Sequence, residues 1–136
     1  MSLRILQRIV KNSLSLIVML SLQSMLDLND EKKENIIDTV KDYINVHYAE
    51  NITLTEICEK YFYNVSYVSR KFKEVNNCSF EQYLRSVRIE RACEMLVSTS
   101  KSVFEIAESC GYSSTRSFRK AFSFITGKTP TKFRKM

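Results

Sequence analysis

The chain has 136 residues, which is enough for one domain or for two very small ones that share a core. A hydrophobic fraction of 44% suits a globular protein, a charged fraction of 26% argues against a membrane protein, and two glycines and one proline are too few for a turn-rich β fold. Residues 1–52 carry six basic and seven acidic side chains, whereas residues 53–136 carry fifteen and eight, so the net charge of +6 belongs to the C-terminal part. We therefore expect an all-α protein whose C-terminal part binds a polyanion, with a surface that is basic only for solubility as the alternative.

The N-terminal segment, residues 3–28, has no glycine or proline and is predicted to form one helix. Its longest near-apolar run, Leu14 to Leu22, falls short of the roughly twenty residues that span a bilayer. Basic residues precede the run as in a signal peptide, but no small-residue cleavage site follows it. Apolar residues lie on more than one face, so we expect this helix to pack against a partner chain or another domain.

A charged stretch, residues 27–34, is predicted to be a break or linker that ends an N-terminal segment of residues 1–34. Asn29 or Asp30 would then cap a helix that ends near residues 49–51. Spacings of three and four keep its apolar stripe on one face. That stripe consists of Ile36, Ile37, Val40, Tyr43, Ile44 and either His47 or Tyr48.

A first helix–turn–helix unit is predicted over about residues 53–75. Thr53 and Glu56 have the spacing of a capping box, and a short helix should follow with Ile57, Cys58 and Tyr61 facing inward. Asn64 is placed to cap the second helix of the unit. That helix should bury Val68 and Phe72.

A long helix is predicted from Ser79 to about Ser98. Its apolar stripe consists of Phe80, Tyr83, Leu84, Val87, either Arg88 or Ile89, Cys93 and Leu96. This helix would link the first unit to the rest of the chain.

The helix–turn–helix pattern then returns over about residues 102–126. Ser102 and Glu105 form a second capping box, and Ile106 and Ala107 take the places of Ile57 and Cys58, 49 residues later. After one additional residue in the turn, an offset of 50 relates the remaining pairs, which are Asn64 and Ser114, Val68 and Phe118, and Phe72 and Phe122. A short C-terminal helix should begin near Pro130, where a missing N–H costs nothing.

Cysteine and histidine usage excludes common metal and catalytic sites. The four cysteines are Cys58, Cys78, Cys93 and Cys110, without a CxxC pair, and His47 is the only histidine. These spacings match no common zinc site, and a nucleophile has no histidine partner. We expect reduced thiols in a cytoplasmic protein, no metal, no cofactor and no enzymatic activity.

The second helix of such a unit fits the major groove of DNA, which is about 12 Å wide. Candidates on its exposed face are Ser66, Tyr67, Ser69, Arg70 and Lys73 in the first unit, and Thr115, Arg116, Ser117, Arg119 and Lys120 in the second. One helix pair with a tight turn is common in all-α proteins, but residues 111–136 contain seven basic and no acidic side chains. Tyr63, Tyr67 and Tyr112 could stack on single-stranded bases, but we expect Tyr63 and Tyr112 to pack at the turns.

From about residue 51 onward the chain resembles the DNA-binding domain of the AraC/XylS transcription regulators. The matching pieces are "ITLTEICEKYFYNVSYVSRKFKEV", "SFEQYLRSVRIERACEML" and "SVFEIAESCGYSSTRSFRKAFSFITGKTPTKFR". The resemblance implies seven helices in two subdomains, a rigid bridging helix around Arg88, and recognition helices in successive major grooves. It extends the domain over residues 35–136, because the helix near Asn35 looks like the family's first helix.

The resemblance also implies which residues contact DNA. Base readout would fall on Ser66, Ser69, Arg70, Thr115, Arg116, Arg119 and Lys120. Separately from the resemblance, we expect phosphate contacts from Tyr67, Lys73, Lys101, Ser117 and Lys128, with Lys120 as a further candidate. The chain departs from the family pattern at two places. Val65 stands where the family often has proline, and the usual glycine after the first recognition helix is missing. Asn76 or Asn77 can adopt the left-handed conformation in place of that glycine. Because Ser66 and Ser69 are short, we expect the second unit to supply more of the affinity.

The partners implied are double-stranded DNA, RNA polymerase at promoters and a second copy through the N-terminal helix, with no membrane. Family members carry a sensory or dimerising domain ahead of this part, so we expect the chain to be the tail of a longer regulator. Two other functions remain open. One is a helical protein-interaction adaptor, and the other is an alkyl-transfer repair protein with a nucleophilic cysteine.

Overall fold

The computed structural model describes the backbone of residues 25–136 and the side chains of residues 36–136. The predicted helix before Met25 lies outside the described residues. In this part the chain forms seven helices and no strands, which are α1 (Met25–His47), α2 (Leu54–Tyr61), α3 (Val65–Asn76), α4 (Phe80–Ser98), α5 (Val103–Ser109), α6 (Thr115–Thr126) and α7 (Pro130–Arg134). The prediction of an all-α fold with two helix–turn–helix units is confirmed. Backbone contacts group residues 36–136 into one compact unit.

The predicted break at residues 27–34 is wrong, because these residues lie inside α1. Neither Asn29 nor Asp30 can therefore cap the helix. Charge alone does not end a helix, since Glu and Lys are good helix formers and the segment lacks glycine and proline. The helix ends at His47, two residues before the predicted end. Its buried side chains include four of the predicted stripe, Ile36, Ile37, Val40 and Ile44.

Each helix from α2 to α7 begins at a side-chain cap that accepts a hydrogen bond from the backbone N–H three residues later. The caps are Thr53, Asn64, Ser79, Ser102, Ser114 and Thr129. The box at Ser102 is complete, as predicted, and so is one at Ser79. The box predicted at Thr53 is only half formed. The Thr53 hydroxyl accepts from the Glu56 N–H, but the structure shows no hydrogen bond from the Thr53 N–H to the Glu56 carboxylate. These caps satisfy backbone donors that the first turn of a helix leaves open.

The two units share their turn geometry. The N–H of Tyr63 donates to Cys58 O over 2.9 Å, and the N–H of Tyr112 donates to Ala107 O over 3.0 Å. The preceding residues both have positive φ, 60° at Phe62 and 90° at Gly111. The same turn is therefore built twice, with the additional residue of the second unit following it.

Two separate hydrophobic clusters form the core, and α4 contributes to both. Phe80, Leu84 and Val87 belong to the cluster with α1, α2 and α3. Ile89, Ala92 and Leu96 belong to the cluster with α5 and α6. The first half of α4 thus packs in the first cluster and its second half in the second cluster. Of the two alternatives for the predicted stripe, Ile89 is buried and Arg88 is not.

Two predicted core positions are less buried than expected. Tyr61 is 38% exposed, so its predicted inward orientation is wrong. Cys93 is only half-buried at the edge of the second cluster. Tyr61 lies in the last turn of a helix of eight residues, where Ile57 and Cys58 already fill the inward face.

Candidate nucleic-acid interface

Helices α3 and α6 are each held by two buried side chains one turn apart. Val68 and Phe72 of α3, like Phe118 and Phe122 of α6, have no exposed surface. In the second unit the ring of Phe118 lies 5.4 Å from that of Tyr112 and 5.7 Å from that of Phe122, measured between centroids. Because one face of each helix is fully buried, the opposite face is presented to solvent.

The solvent face of α6 is cationic. Arg116, Arg119 and Lys120 are exposed, and α6 contains no acidic residue. Within the described part of the chain none of the three forms an ion pair. Their charges are therefore available to an anionic partner, and the exposed guanidinium groups can donate two parallel hydrogen bonds to it.

The solvent face of α3 carries shorter side chains. Ser66, Ser69, Arg70 and Lys73 are all exposed, as the sequence predicted, and Arg70 forms no ion pair with any described residue. Val65, Ser66, Ser69 and Arg70 line a shallow, open depression at the start of the helix. A partner can therefore approach the backbone of α3 closely at this point.

Three of the predicted contact residues are partly engaged in the fold. Thr115 is half-buried at the entrance to α6, and Tyr67 packs against the first hydrophobic cluster. The hydroxyl of Ser114 donates to Ser117 Oγ over 2.9 Å and accepts from the Ser117 N–H over 3.1 Å. These residues shape the starts of α3 and α6 as well as facing outward.

Three lysines predicted to contact phosphate are exposed near helix ends. Lys73 lies in the last turn of α3, and Lys101 directly precedes the cap of α5. Lys128 follows Gly127 at the end of α6, where its Nζ contacts the sulfur of Met136. Long side chains at such positions can reach beyond the helix that lies in a groove.

The turn tyrosines belong to the core. Tyr63 packs against the first cluster and Tyr112 against the second, so the expectation that they pack at the turns is confirmed. The hydroxyl of Tyr112 is buried without a hydrogen-bond partner among the described residues. Burial is the main cause that raises its pKa, as it does for Tyr63.

Two arginines that the charge pattern does not single out hold backbone carbonyls. Arg88 donates from Nε to Tyr48 O over 2.7 Å and from Nη2 to Glu50 O over 2.9 Å. Arg134 makes the same forked arrangement with Leu96 O at 3.0 Å and Thr99 O at 3.3 Å. The available signal is the place of Arg88 in an otherwise apolar stripe, since a charged residue in such a stripe needs polar partners.

The cysteines lack the features of a reactive site. All four are free, and Cys58 and Cys110 are buried. Burial raises the pKa of Cys58 and Cys93, and it raises that of Cys110 to about 11 despite the nearby Arg88. These three thiols therefore stay protonated near neutral pH and are poor nucleophiles.

Among the described side chains, which are those of residues 36–136, no cluster of histidine, cysteine, aspartate and glutamate could hold a metal ion. None of the helices within residues 25–136 is long and apolar enough to cross a membrane.

Known proteins share this arrangement. A family profile described as "Helix-turn-helix domain" matches residues 57–136. An HTH-type transcriptional regulator of Staphylococcus aureus is 36% identical over 107 residues, which cover 79% of this chain but only 14% of the relative. The chain thus spans a small part of the length of that curated relative.

Solved structures agree with the sequence comparison. The C-terminal domain of AraT, a response regulator from Geobacillus stearothermophilus, aligns with a TM-score of 0.71 at 33% identity, over 74% of this chain and 84% of that one. A transcriptional regulator from Chromobacterium violaceum, described by its AraC-type DNA-binding domain, shares the fold at a TM-score of 0.70 and 22% identity, over 76% and 93% of the two chains. The chain therefore belongs to the AraC-type helix–turn–helix family of DNA-binding transcription regulators.

Proposed function

We propose that this chain binds double-stranded DNA at a bipartite site, with α3 and α6 in successive major grooves, and that binding regulates transcription from a nearby promoter. The observation that carries the proposal is the cationic face of α6, which is exposed, unpaired within the described residues and free of acidic neighbours along the helix. Such a face concentrates positive charge on a rigid ridge of the width that a major groove admits.

Base readout is assigned to the outward side chains of the two helices. Arg116 and Arg119 in α6 and Arg70 in α3 are the candidates for guanine, because a guanidinium fork matches the O6 and N7 acceptors. The remaining proposed base contacts come from shorter or more flexible side chains, which are those of Ser66, Ser69, Thr115 and Lys120. The exposure of all but Thr115 supports this assignment.

Phosphate contacts are assigned to the margins of the same surface. Lys73, Lys101 and Lys128 would reach the backbone on either side of the grooves, with Tyr67 and Ser117 at the starts of α3 and α6. Contacts of this kind set the register of the protein on DNA and carry no sequence information directly.

Selection of bound sequences from random duplex DNA, with the purified chain, tests the proposal. We expect enrichment of two short segments about one helical turn, roughly 34 Å, apart. A variant with Arg116, Arg119 and Lys120 replaced by alanine serves as the control, since these exposed residues should leave the helical content unchanged. Enrichment of the same segments by that variant, or none by the parent chain, would contradict the proposal.

Salt dependence distinguishes the proposal from an adaptor that binds only proteins. If the three lysines assigned to phosphate each neutralise one phosphate, the logarithm of the association constant should fall with the logarithm of salt concentration with a slope of about −3. An adaptor would show no detectable affinity for duplex DNA and no such slope. The raised thiol pKa values already argue against an alkyl-transfer enzyme, and thiol alkylation should leave DNA affinity intact.

Further partners belong to the same proposal. We infer a homodimer through the helix predicted before Met25, contact with RNA polymerase at the promoter, and a cytoplasmic location, where reduced thiols and chromosomal DNA coexist. Sedimentation that shows a monomer at all concentrations would argue against the dimer. Transcription in a purified system with polymerase and the selected site tests the polymerase contact.

A further inference from the structure

The two hydrophobic clusters are joined along the chain by α4, and the loop before α2 also contacts the turn before α6. The guanidinium carbon of Arg88 lies 5.7 Å from the centroid of the Tyr112 ring, while its nitrogens bind Tyr48 O and Glu50 O. One side chain thus contacts the α1–α2 loop of the first unit and the turn of the second.

A direct backbone approach lies next to this arginine. Gly111 has φ +90°, and a Cβ built on it would lie 2.8 Å from the carbonyl oxygen of Ala49. No side chain fits there unless one of the two backbones shifts. Arg91 adds a neighbouring contact, with its guanidinium carbon 5.8 Å from the centroid of the Tyr48 ring.

We call this contact region the seam, and it consists of Tyr48, Ala49, Glu50, Arg88, Gly111 and Tyr112. Its second side ends at Tyr112, two residues before Ser114, the cap of α6. Its first side ends at Glu50, three residues before Thr53, the cap of α2. A displacement across the seam would therefore be passed directly to α6, and through α2 to α3, which packs with α2 in the first hydrophobic cluster.

We propose that the seam, and not the stiffness of α4 alone, sets the relative orientation of the two recognition helices and with it the spacing of the DNA segments that the chain accepts. Arg88 and Gly111 are positioning residues in this proposal and make no contact with DNA. The fork of Arg88 is directional, since its planar guanidinium binds two carbonyls at once, which a lysine cannot reproduce. The inference rests on the proposed bipartite binding.

Two matched pairs of variants separate an effect on the relative orientation of the two units from effects on charge and on folding stability. Arg88→Lys and Arg134→Lys both keep the charge and lose a carbonyl fork, but the fork of Arg134 lies within the second unit. Gly111→Ala and Gly127→Ala both place alanine at positive φ, but a Cβ on Gly127 would meet nothing within 4 Å.

Residual dipolar couplings of the free protein give the first measurement and need no DNA. In the parent chain, and in Arg134→Lys and Gly127→Ala, couplings from α2 and α3 should fit the same alignment tensor as those from α5 and α6. In Arg88→Lys and Gly111→Ala the two units should require different tensors. A common tensor in both seam variants would overturn the proposal, whether or not the chain binds DNA.

Affinity for duplexes in which the two selected segments are moved apart or together gives the second measurement. The affinity of the parent chain for the bipartite site should exceed its affinity for a single segment by about 10²-fold. In the seam variants this ratio should fall by about tenfold, while the affinity for a single segment changes by no more than about twofold. Their preference among spacings should also flatten, whereas both control variants should follow the parent. Equal loss on every duplex would mean simple destabilisation and would overturn the inference while leaving the proposed function standing. A parent chain that binds no duplex would instead refute the proposed function.

Discussion

Arg116, Arg119 and Lys120 extend into solvent from the same helix in which Phe118 and Phe122 are fully buried. Residues buried in the core and residues exposed to solvent thus alternate along α6, and the proposed DNA contacts Arg116, Arg119 and Lys120 are all on the exposed side. A substitution on the solvent face should change DNA binding without changing stability, because surface changes away from special contacts usually stay within about 0.5 kcal/mol.

Arg116→Ala should weaken binding mainly to the preferred base, by about 1–3 kcal/mol, because a bidentate contact with guanine is lost. The check is a titration of the selected duplex and of duplexes with each base changed. Lys101→Ala is the comparison, since loss of a phosphate contact should weaken binding to all duplexes alike and lower the salt slope by about 1. Equal losses for Arg116→Ala on selected and random DNA would make Arg116 a phosphate contact instead.

Cys110 should make the fold sensitive to alkaline pH. Its pKa in the folded chain is about 11 against an ordinary value of 9.0, so an unfolded thiol loses its proton first. The protonated thiol therefore contributes fully to the free energy of unfolding below pH 9. This contribution, up to about 2–3 kcal/mol, is lost as the pH rises from 9 towards 11. Urea denaturation of the parent chain and Cys110→Ala should show their difference in unfolding free energy shrinking over this range. Parallel pH profiles would show that Cys110 does not titrate as described.

Local patterns predicted single residues well where the cause is local. The caps at Asn64, Ser102 and Ser114 could be read from the sequence because a short polar side chain bonds to a backbone N–H three residues away. The carbonyl forks of Arg88 and Arg134 could not, since their partners lie 35 to 40 residues away along the chain. The roles of the contact residues in DNA binding stay predictions.

At the level of elements, the two helix–turn–helix units form the same turn with different residues at the position of positive φ. Position 111 is glycine, whereas the equivalent Phe62 adopts φ 60° with its side chain 96% exposed. Phenylalanine is unfavourable in this conformation, and here burial offers no compensation. The turn of the first unit therefore contains local strain that the second unit avoids.

Phe62→Gly should raise the free energy of unfolding by about 0.5–1 kcal/mol, because relief of the left-handed conformation outweighs the greater freedom of glycine in the unfolded chain. Thermal and urea denaturation provide the measurement. Asn77→Gly is the matched comparison at φ 58°, and it should gain less because asparagine tolerates this conformation. A loss of stability in Phe62→Gly would show that the exposed ring makes contacts of its own.

The extent of a helix was harder to predict than its buried face. Spacing identified Ile36, Val40 and Ile44 because burial repeats with the helical period. The helical state of residues 27–34 was missed because a charged stretch without glycine or proline can be helical or irregular, and local composition does not decide between them.

Considered as a whole, the molecule has two similar helix–turn–helix units whose exposed surfaces differ in charge and length. Ser66 and Ser69 of the first unit occupy the places of Arg116 and Arg119 in the second, and both pairs are exposed. The two units agree in their buried residues and caps, whereas the outward residues differ. This asymmetry matches the uneven charge along the sequence.

The double variant Arg116→Ala with Arg119→Ala should lose at least about tenfold more affinity than Ser66→Ala with Ser69→Ala, since hydrogen bonds from charged groups are worth roughly twice those from neutral ones. Titration of both variants on the selected site, at one salt concentration, provides the comparison. Similar losses would show that the first unit contributes through its backbone approach as much as the second does through charge.

The solitary state of Arg70, Arg116, Arg119 and Lys120 within the described residues bears on how new specificities can arise. No partner inside the described part of the fold depends on these side chains, so each position can be exchanged without a compensating change elsewhere. Duplicate copies of such a gene can diverge in target preference through single steps that all remain foldable. Under the proposed base readout, positions 70, 116, 119 and 120, together with the exposed positions 66 and 69, form a compact set for a combinatorial library aimed at a chosen DNA sequence.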